Sequence, residues 1–453
     1  ASRASAARRD ALAAFVTQNN GEPAWADAQR LAHEADAQYR EAAVELEAAF
    51  SIDASAVRSR MVAVLDAHAH LASLVRDANR LDELVHRLAA YDPARAARWT
   101  RPGRLELSLD RPASIAIHAM RAGATSRIAG GFDAAPIVRV DGSRLERELP
   151  PGSYVAILTA TDGHVVRDAF VVDPGERLER HLAIPPARDG WIYIPAGRFR
   201  YGSRADDAFR TQFLSAQPEH DRELPAFWIS RTEVTFGDWL RFLRANPSAV
   251  ERHRPTLETT QNTVGLELGT DGTFELVLQP TIRATYRARE GMPIEYTGRT
   301  RNRRVRWEKL PVVGVSYEDG LAYAAWLDER REVVGARPCT SLEWEHAARG
   351  ADGRSYPHGE TLTPTDANFD ESYGRDAFAF GPDEVGTHPA SDSPYGVADL
   401  AGNVFEATTG LDGKPWRKGG SFYQDRASAL AANNAASEPT QRGIKYGLRM
   451  CAP

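Results

Sequence analysis

The most informative residues of this chain lie near its C-terminus. They form three segments: Asp399-Leu400-Ala401-Gly402-Asn403-Val404-Phe405-Glu406, then Lys418-Gly419-Gly420-Ser421-Phe422, then Gly447-Leu448-Arg449-Met450-Cys451. Elsewhere, reactive residue types are sparse. Cysteine occurs only at Cys339 and Cys451, which makes neither a disulfide scaffold nor a cysteine-rich zinc site. His68 and His70 sit two apart and would project about 200° apart from a helix, so they cannot easily chelate one ion. With His86 they read as solvent-exposed side chains. There is no Gly-x-Ser-x-Gly elbow, no P-loop, no Gly-x-Gly-x-x-Gly and no protein-kinase signature.

The order and spacing of the three segments resemble the signature of the formylglycine-generating enzymes, also called sulfatase-modifying factors. The resemblance begins at Trp191. Ile192-Tyr193-Ile194-Pro195-Ala196-Gly197-Arg198-Phe199 is similar to the family's first strand, and Phe227-Trp228-Ile229-Ser230-Arg231-Thr232-Glu233-Val234-Thr235 to the next. It implies an irregular α+β, C-type-lectin-like fold. It also implies two cysteines just after the Gly-Gly-Ser segment, which in those enzymes hold copper and, with oxygen, oxidise a client cysteine to formylglycine. At those positions this chain has Gln424 and Ala429. Cu(I) requires soft thiolates; a carboxamide is a poor ligand for it and a methyl group is none. Copper is therefore not expected. A related iron-dependent branch uses three histidines, for which the N-terminal histidines are poorly spaced.

The resemblance further implies two structural calcium sites. One maps onto Asp399, the carbonyls of Gly402 and Val404, and Glu406. The other maps onto Asn368, the carbonyl of Phe369, Asp376 and the carbonyl of Phe378. Asp and Glu are hard oxygen donors suited to calcium. A peptide-binding groove is implied too, with Phe422, Tyr423, Gln424, Asn433, Asn434, Arg442 and Tyr446 as candidates and Trp191 and Gln441 beside them. In this fold the closing strand returns near the segment preceding the third helix. Cys339 and Cys451 are therefore expected as neighbours, with α-carbons within roughly 4.4–6.8 Å. Reduced thiols in a cytoplasmic protein are the expectation.

The elements that must position these residues can be read from pattern and composition. A chain of 453 residues calls for more than one domain. Its 42% hydrophobic and 26% charged content is that of a globular protein, and a net charge of −6 gives no reason for nucleic-acid binding. No run approaches the roughly 18 apolar residues of a membrane span. The start, Ala1-Ser2-Arg3, reads as a cut from a longer polypeptide. Residues 1–100 have apolar residues at helical spacing, such as Leu65, Leu81, Leu84 and Leu88. They predict an antiparallel helical pair or a degenerate repeat array. From 101 to 187 the period becomes two, as in Leu105-Glu106-Leu107-Ser108-Leu109, and predicts a small β-sandwich. The turn Pro150-Pro151-Gly152-Ser153-Tyr154 is similar to PEGA-type modules. Pro185–Gly190 reads as a linker, and residues 188–453 form the family-like domain. Capping boxes at Thr235/Asp238 and Ser316/Asp319 start helices there, and another helix begins at Thr340.

Residues 246–309 interrupt the family pattern. They hold a hairpin around Asp271-Gly272 and a basic run, Arg299, Arg301, Arg303, Arg304, Arg306 and Lys309. The run is expected to be a solvated loop or a protruding surface for an acidic partner. The helix–β–family arrangement resembles the C-terminal region of bacterial Ser/Thr kinases. The function expected is non-catalytic recognition of a protein or peptide within a signalling protein; the alternative is a divergent oxidase of the same family. Oligomeric state has no signature here.

Overall fold

The computed structural model describes residues 2–18, 20–120, 127–128, 132–133 and 135–453. The chain divides into two compact units. The first comprises Ala1–Glu106, Glu146–Pro151 and Val172–Arg180, and the second Leu107–Leu145, Gly152–Val171 and His181–Pro453.

The first unit is built on four long helices, Ser2–Gln18, Glu22–Phe50, Ala54–Val75 and Ala78–Tyr91. Each packs on the next in order. The breaks follow from local chemistry. Pro23 stands in the first turn of the second helix, where its missing N–H costs nothing. Asp53 caps the third helix by accepting from the Ser55 and Ala56 amides, and Asp77 caps the fourth by accepting from Arg80. Met61, Leu65, Ala69, Leu84 and Leu88 close the core between the last two helices. His68 corrects the expectation of an exposed side chain. It is 1% exposed, stacks on Tyr39, and places Nε2 2.7 Å from Asp36. Burial pushes its pKa down to about 4, so the ring is neutral at pH 7.

The second unit begins with the period-two strands. Ala113–Ala119 pairs antiparallel with Tyr154–Ala160. Ile115, Ile117 and Val155 point into the unit and are fully buried. Met120, Val155 and Ala169 share an apolar core with Phe227, Ile229 and Trp344. These strands are therefore no detached spacer within the unit. The Pro185–Gly190 stretch is docked as well. Arg188 lies 4.7 Å over the Trp228 ring, and the Gly190 carbonyl accepts from Arg231 at 2.8 Å.

Two small sheets organise the C-terminal domain. One runs in the order Arg337–Pro338, Met450–Ala452, Phe227–Ser230, Trp191–Ile194. The other runs Ala435–Ala436, Pro415–Lys418, Phe405–Thr409, Tyr446–Leu448. Three helices, Phe236–Ala245, Tyr317–Glu329 and Ser341–Arg349, each start with a complete capping box. Arg337 pairs with Cys451 across the first sheet, which brings Cys339 to 4.8 Å from Cys451 between α-carbons. The two are joined as a disulfide, and both are fully buried. The expected proximity is met. The expectation of reduced thiols is corrected.

The 246–309 insertion does not protrude. Its hairpin is the centre of a four-stranded sheet, Thr256–Glu258, Thr263–Leu268, Phe274–Thr281 and Ala284–Arg289. Val264, Leu266, Phe274, Leu276 and Leu278 alternate inward and join the core formed by Trp239, Tyr323 and Trp326. A Cβ on Gly314 would lie 2.9 Å from Val264, so the insertion sits directly against the domain.

Candidate functional site

Glu406, on strand Phe405–Thr409, is fully buried. Arg449 donates to both its oxygens at 2.6 Å, and the Trp344 indole donates to Oε2 at 2.6 Å. Asp399 is held in a left-handed conformation at φ 59° and accepts from the Gly386 amide at 2.5 Å. Glu233 accepts from Asn403 at 3.0 Å and lies 3.8 Å from Arg449. Burial, reinforced by Asp399, lifts the Glu233 carboxyl well above its ordinary value. Burial also raises Asp399 and Glu406, with Arg449 opposing it in both.

These contacts test the two calcium sets. In the first, the Arg449 guanidinium already lies against both Glu406 oxygens. In the second, the Phe378 carbonyl accepts from Tyr286 at 2.7 Å and from the Gly298 amide at 3.1 Å. The Phe369 carbonyl accepts from Ser372 at 3.0 Å, and an Asp376 oxygen accepts from the Phe378 amide at 2.8 Å. Asn368 donates to the Gly381 carbonyl at 3.0 Å. The insertion has taken this place: a Cβ on Gly298 would meet the Phe378 carbonyl carbon at 2.8 Å. Among the described residues no group of three or more His, Cys, Asp or Glu is arranged to hold a metal ion.

Of the two positions that align with the family's cysteines, Gln424 is half-buried and Ala429 sits in an apolar pocket. Ala429 is 1% exposed and packs with Tyr356, Leu362, Ala367, Phe369 and Ala401. Its backbone lies against Gly420, where an added Cβ would come within 2.9 Å of the Ala429 α-carbon. Gly420 has φ 74°, so this approach needs glycine twice over. Gln424 accepts from the Ser421 hydroxyl, and its carbonyl accepts from the Asp370 amide at 3.1 Å.

The seven groove candidates separate. Tyr423 is 48% exposed and packs against Phe380 with ring centroids 5.0 Å apart. Gln424 and Tyr446 are half-buried. Phe422 is core. Asn433 and Asn434 are each 5% exposed, which corrects the picture of an open polar loop. Asn433 donates to the Ser428 carbonyl at 2.8 Å, and Asn434 accepts from the Lys418 ammonium at 2.8 Å. Arg442 braces the insertion. It donates to the Arg254 and Arg252 carbonyls at 2.8 and 2.9 Å and pairs with Asp319 at 2.8 Å.

Sequence reasoning missed two buried networks. Lys418 and Glu345, both fully buried, pair at 3.0 Å, and Glu345 also pairs with Arg349 at 2.6 Å. Burial lowers the Lys418 pKa, against the pull of Glu345. Arg299, from the basic run expected to be solvated, is instead 2% exposed. It pairs with Asp383 and donates to the Ala379 and Gly381 carbonyls at 2.6 and 2.5 Å. His388 and Tyr373 complete the cage around Asp383 at 2.7 and 2.6 Å. A visible signal for Lys418 was a charge inside a strand bounded by Trp416 and Gly419.

With this geometry in view, residues 183–452 match the sulfatase-modifying factor enzyme 1-like domain. The chain belongs to that family. A Ser/Thr-protein kinase pkn1 of Chlamydia caviae is 25% identical over 285 residues, covering 62% of this chain and 37% of the kinase. A formylglycine-generating enzyme of Streptomyces coelicolor is 30% identical over 201 residues, covering 43% of this chain and 57% of the enzyme. An inactive Cα-formylglycine-generating enzyme 2 of Mus musculus is 29% identical over 290 residues, covering 59% and 83%. The chain thus spans only about a third to just over half of the kinase and the bacterial enzyme. No helix among the described residues is long and apolar enough to cross a membrane.

Proposed function

We propose that this family member recognises a protein or peptide without catalysis, as the regulatory or sensing part of a bacterial signalling protein. The observation that carries the reading is the state of the cysteines. Both are spent on one buried disulfide, and positions 424 and 429 hold a carboxamide and a methyl group. A chain with no free thiol cannot offer Cu(I) its thiolate pair. The kinase named among the relatives supports a signalling context, and the mouse relative named inactive supports loss of turnover on this fold. The disulfide also favours an oxidising compartment over the cytoplasm.

The test is a turnover assay on a cysteine-containing sulfatase peptide with copper supplied, read by mass spectrometry. No formylglycine above a no-protein control is expected. Formylglycine above that control overturns the reading.

A further inference from the structure

Among the described residues, six deeply buried cations each hold a carboxylate. Arg210, Arg299, Arg349, Arg354, Lys418 and Arg449 are all 5% exposed or less, and each forms an ion pair. Arg417 breaks the rule. It is 4% exposed, yet among the described residues no carboxylate pairs with it. It extends from strand Pro415–Lys418, where it faces Ala407, and crosses towards Tyr446, which faces Phe405. Its guanidinium carbon lies 3.2 Å from the centre of the Tyr446 ring, and Nη2 donates to the Gln441 carbonyl at 3.1 Å. Burial pushes its pKa down to about 10.

A second cation, Lys445, immediately precedes Tyr446 in the chain. Lys445 is half-buried, has no carboxylate partner among the described residues, and sits 5.4 Å over the Tyr423 ring. Burial, then the charge of Arg417, lowers its pKa. A buried cation and a half-buried one, both without a carboxylate, are unfavourable unless something supplies a counter-charge. The ring faces of Tyr446 and Tyr423 supply part of the compensation. They cannot neutralise a net charge of two. Next to the pair, exposed Tyr423 and its neighbour Phe380 make an aromatic shelf.

The geometry points to a binding site for an acidic peptide, whose side-chain carboxylate lies between Arg417 and Lys445 while a neighbouring apolar side chain rests on Tyr423. This deepens the proposed recognition role and rests on it. The guanidinium fork suits a carboxylate held by two hydrogen bonds, and the ammonium adds a point charge.

The test is fluorescence anisotropy on the full chain with a labelled, end-capped peptide of alternating leucine and glutamate. Its glutamine counterpart and inorganic phosphate serve as comparisons. The glutamate peptide is expected to bind at least tenfold more tightly than the glutamine peptide. Arg417→Gln and Lys445→Gln should each remove most of that preference, while Arg417→Lys retains part of it. Lys445→Gln, at a half-buried position, keeps the test valid if Arg417→Gln does not fold. Equal binding of the two peptides overturns the acidic site and leaves peptide recognition standing. A preference that survives both neutral variants overturns the assignment to this pair. Phosphate binding that depends on Arg417, with neither peptide bound, identifies a free-anion site and also overturns the proposal. The turnover assay above decides the recognition reading independently.

Discussion

Glu406 and Gln424 stand on either side of the same Gly-Gly-Ser segment, and they show two fates for polar residues in one domain. Glu406 is fully buried and satisfied by Arg449 and Trp344, so its replacement would strand a charge. Gln424 is half-buried, bonded only to Ser421 and Asp370, and its neighbour at 429 is a methyl group in an apolar pocket. The first position is tied into the fold by groups that cannot leave. The second is held by neutral hydrogen bonds and close packing, with no buried charge. Residue types can change at such a place while the scaffold stays intact, because no buried charge depends on them.

The sharpest way to break this comparison is to cut the satisfied side. Arg449→Met leaves the fully buried Glu406 without its cation. Removing one partner of a buried pair costs about 3–5 kcal/mol. Urea unfolding followed by tryptophan fluorescence should show that loss with an unchanged m-value. A loss below about 1 kcal/mol would mean the corner is not a stability centre.

The disulfide comes next. It closes a sequence separation of 112 residues between the strand before helix Ser341–Arg349 and the closing strand. Cys339→Ala with Cys451→Ala should lower stability by about 2–4 kcal/mol, chiefly by freeing the unfolded chain. Matching unfolding curves for parent and variant in non-reducing buffer would show that the bond contributes nothing.

A smaller effect concerns Asp392. It is 6% exposed, and burial pushes its carboxyl up to about 6, with Arg231 opposing and Asp399 reinforcing the shift. The folded protein therefore holds this proton at a pH where the unfolded chain has lost it. Stability from this group is full below the ordinary carboxylate pKa, falls as pH rises towards 6, and is flat above that. Asp392→Asn should remove the fall and raise stability at pH 8 relative to pH 4 by no more than about 2 kcal/mol, discounted for solvent screening. Parallel pH profiles for parent and variant would contradict this.

The local parts of the fold were legible in the sequence. The capping boxes at Thr235 and Ser316, the turn at Asp271-Gly272 and the alternation at Leu105–Leu109 are short-range signals, and each marks its element correctly. The four-helix array was less plain because Asp53 and Asp77 mark its breaks more strongly than Gly or Pro does. Partners far apart in sequence were not legible. Arg299 read as one charge in a solvated run, yet its partner Asp383 stands 84 positions away. Asn434 read as a loop residue, yet it serves Lys418. The insertion did carry a usable sign: the inward alternation of Val264, Leu266, Leu276 and Leu278 is that of a buried sheet face.

The central claim is that the scaffold survives while the thiolate site is gone. A competition titration with Cu(I) under ascorbate tests it most directly, comparing the parent chain with Gln424→Cys/Ala429→Cys. The parent is expected to take up no Cu(I), and the double variant to take up one equivalent while unfolding at a similar temperature. Stoichiometric Cu(I) uptake by the parent chain would contradict the account.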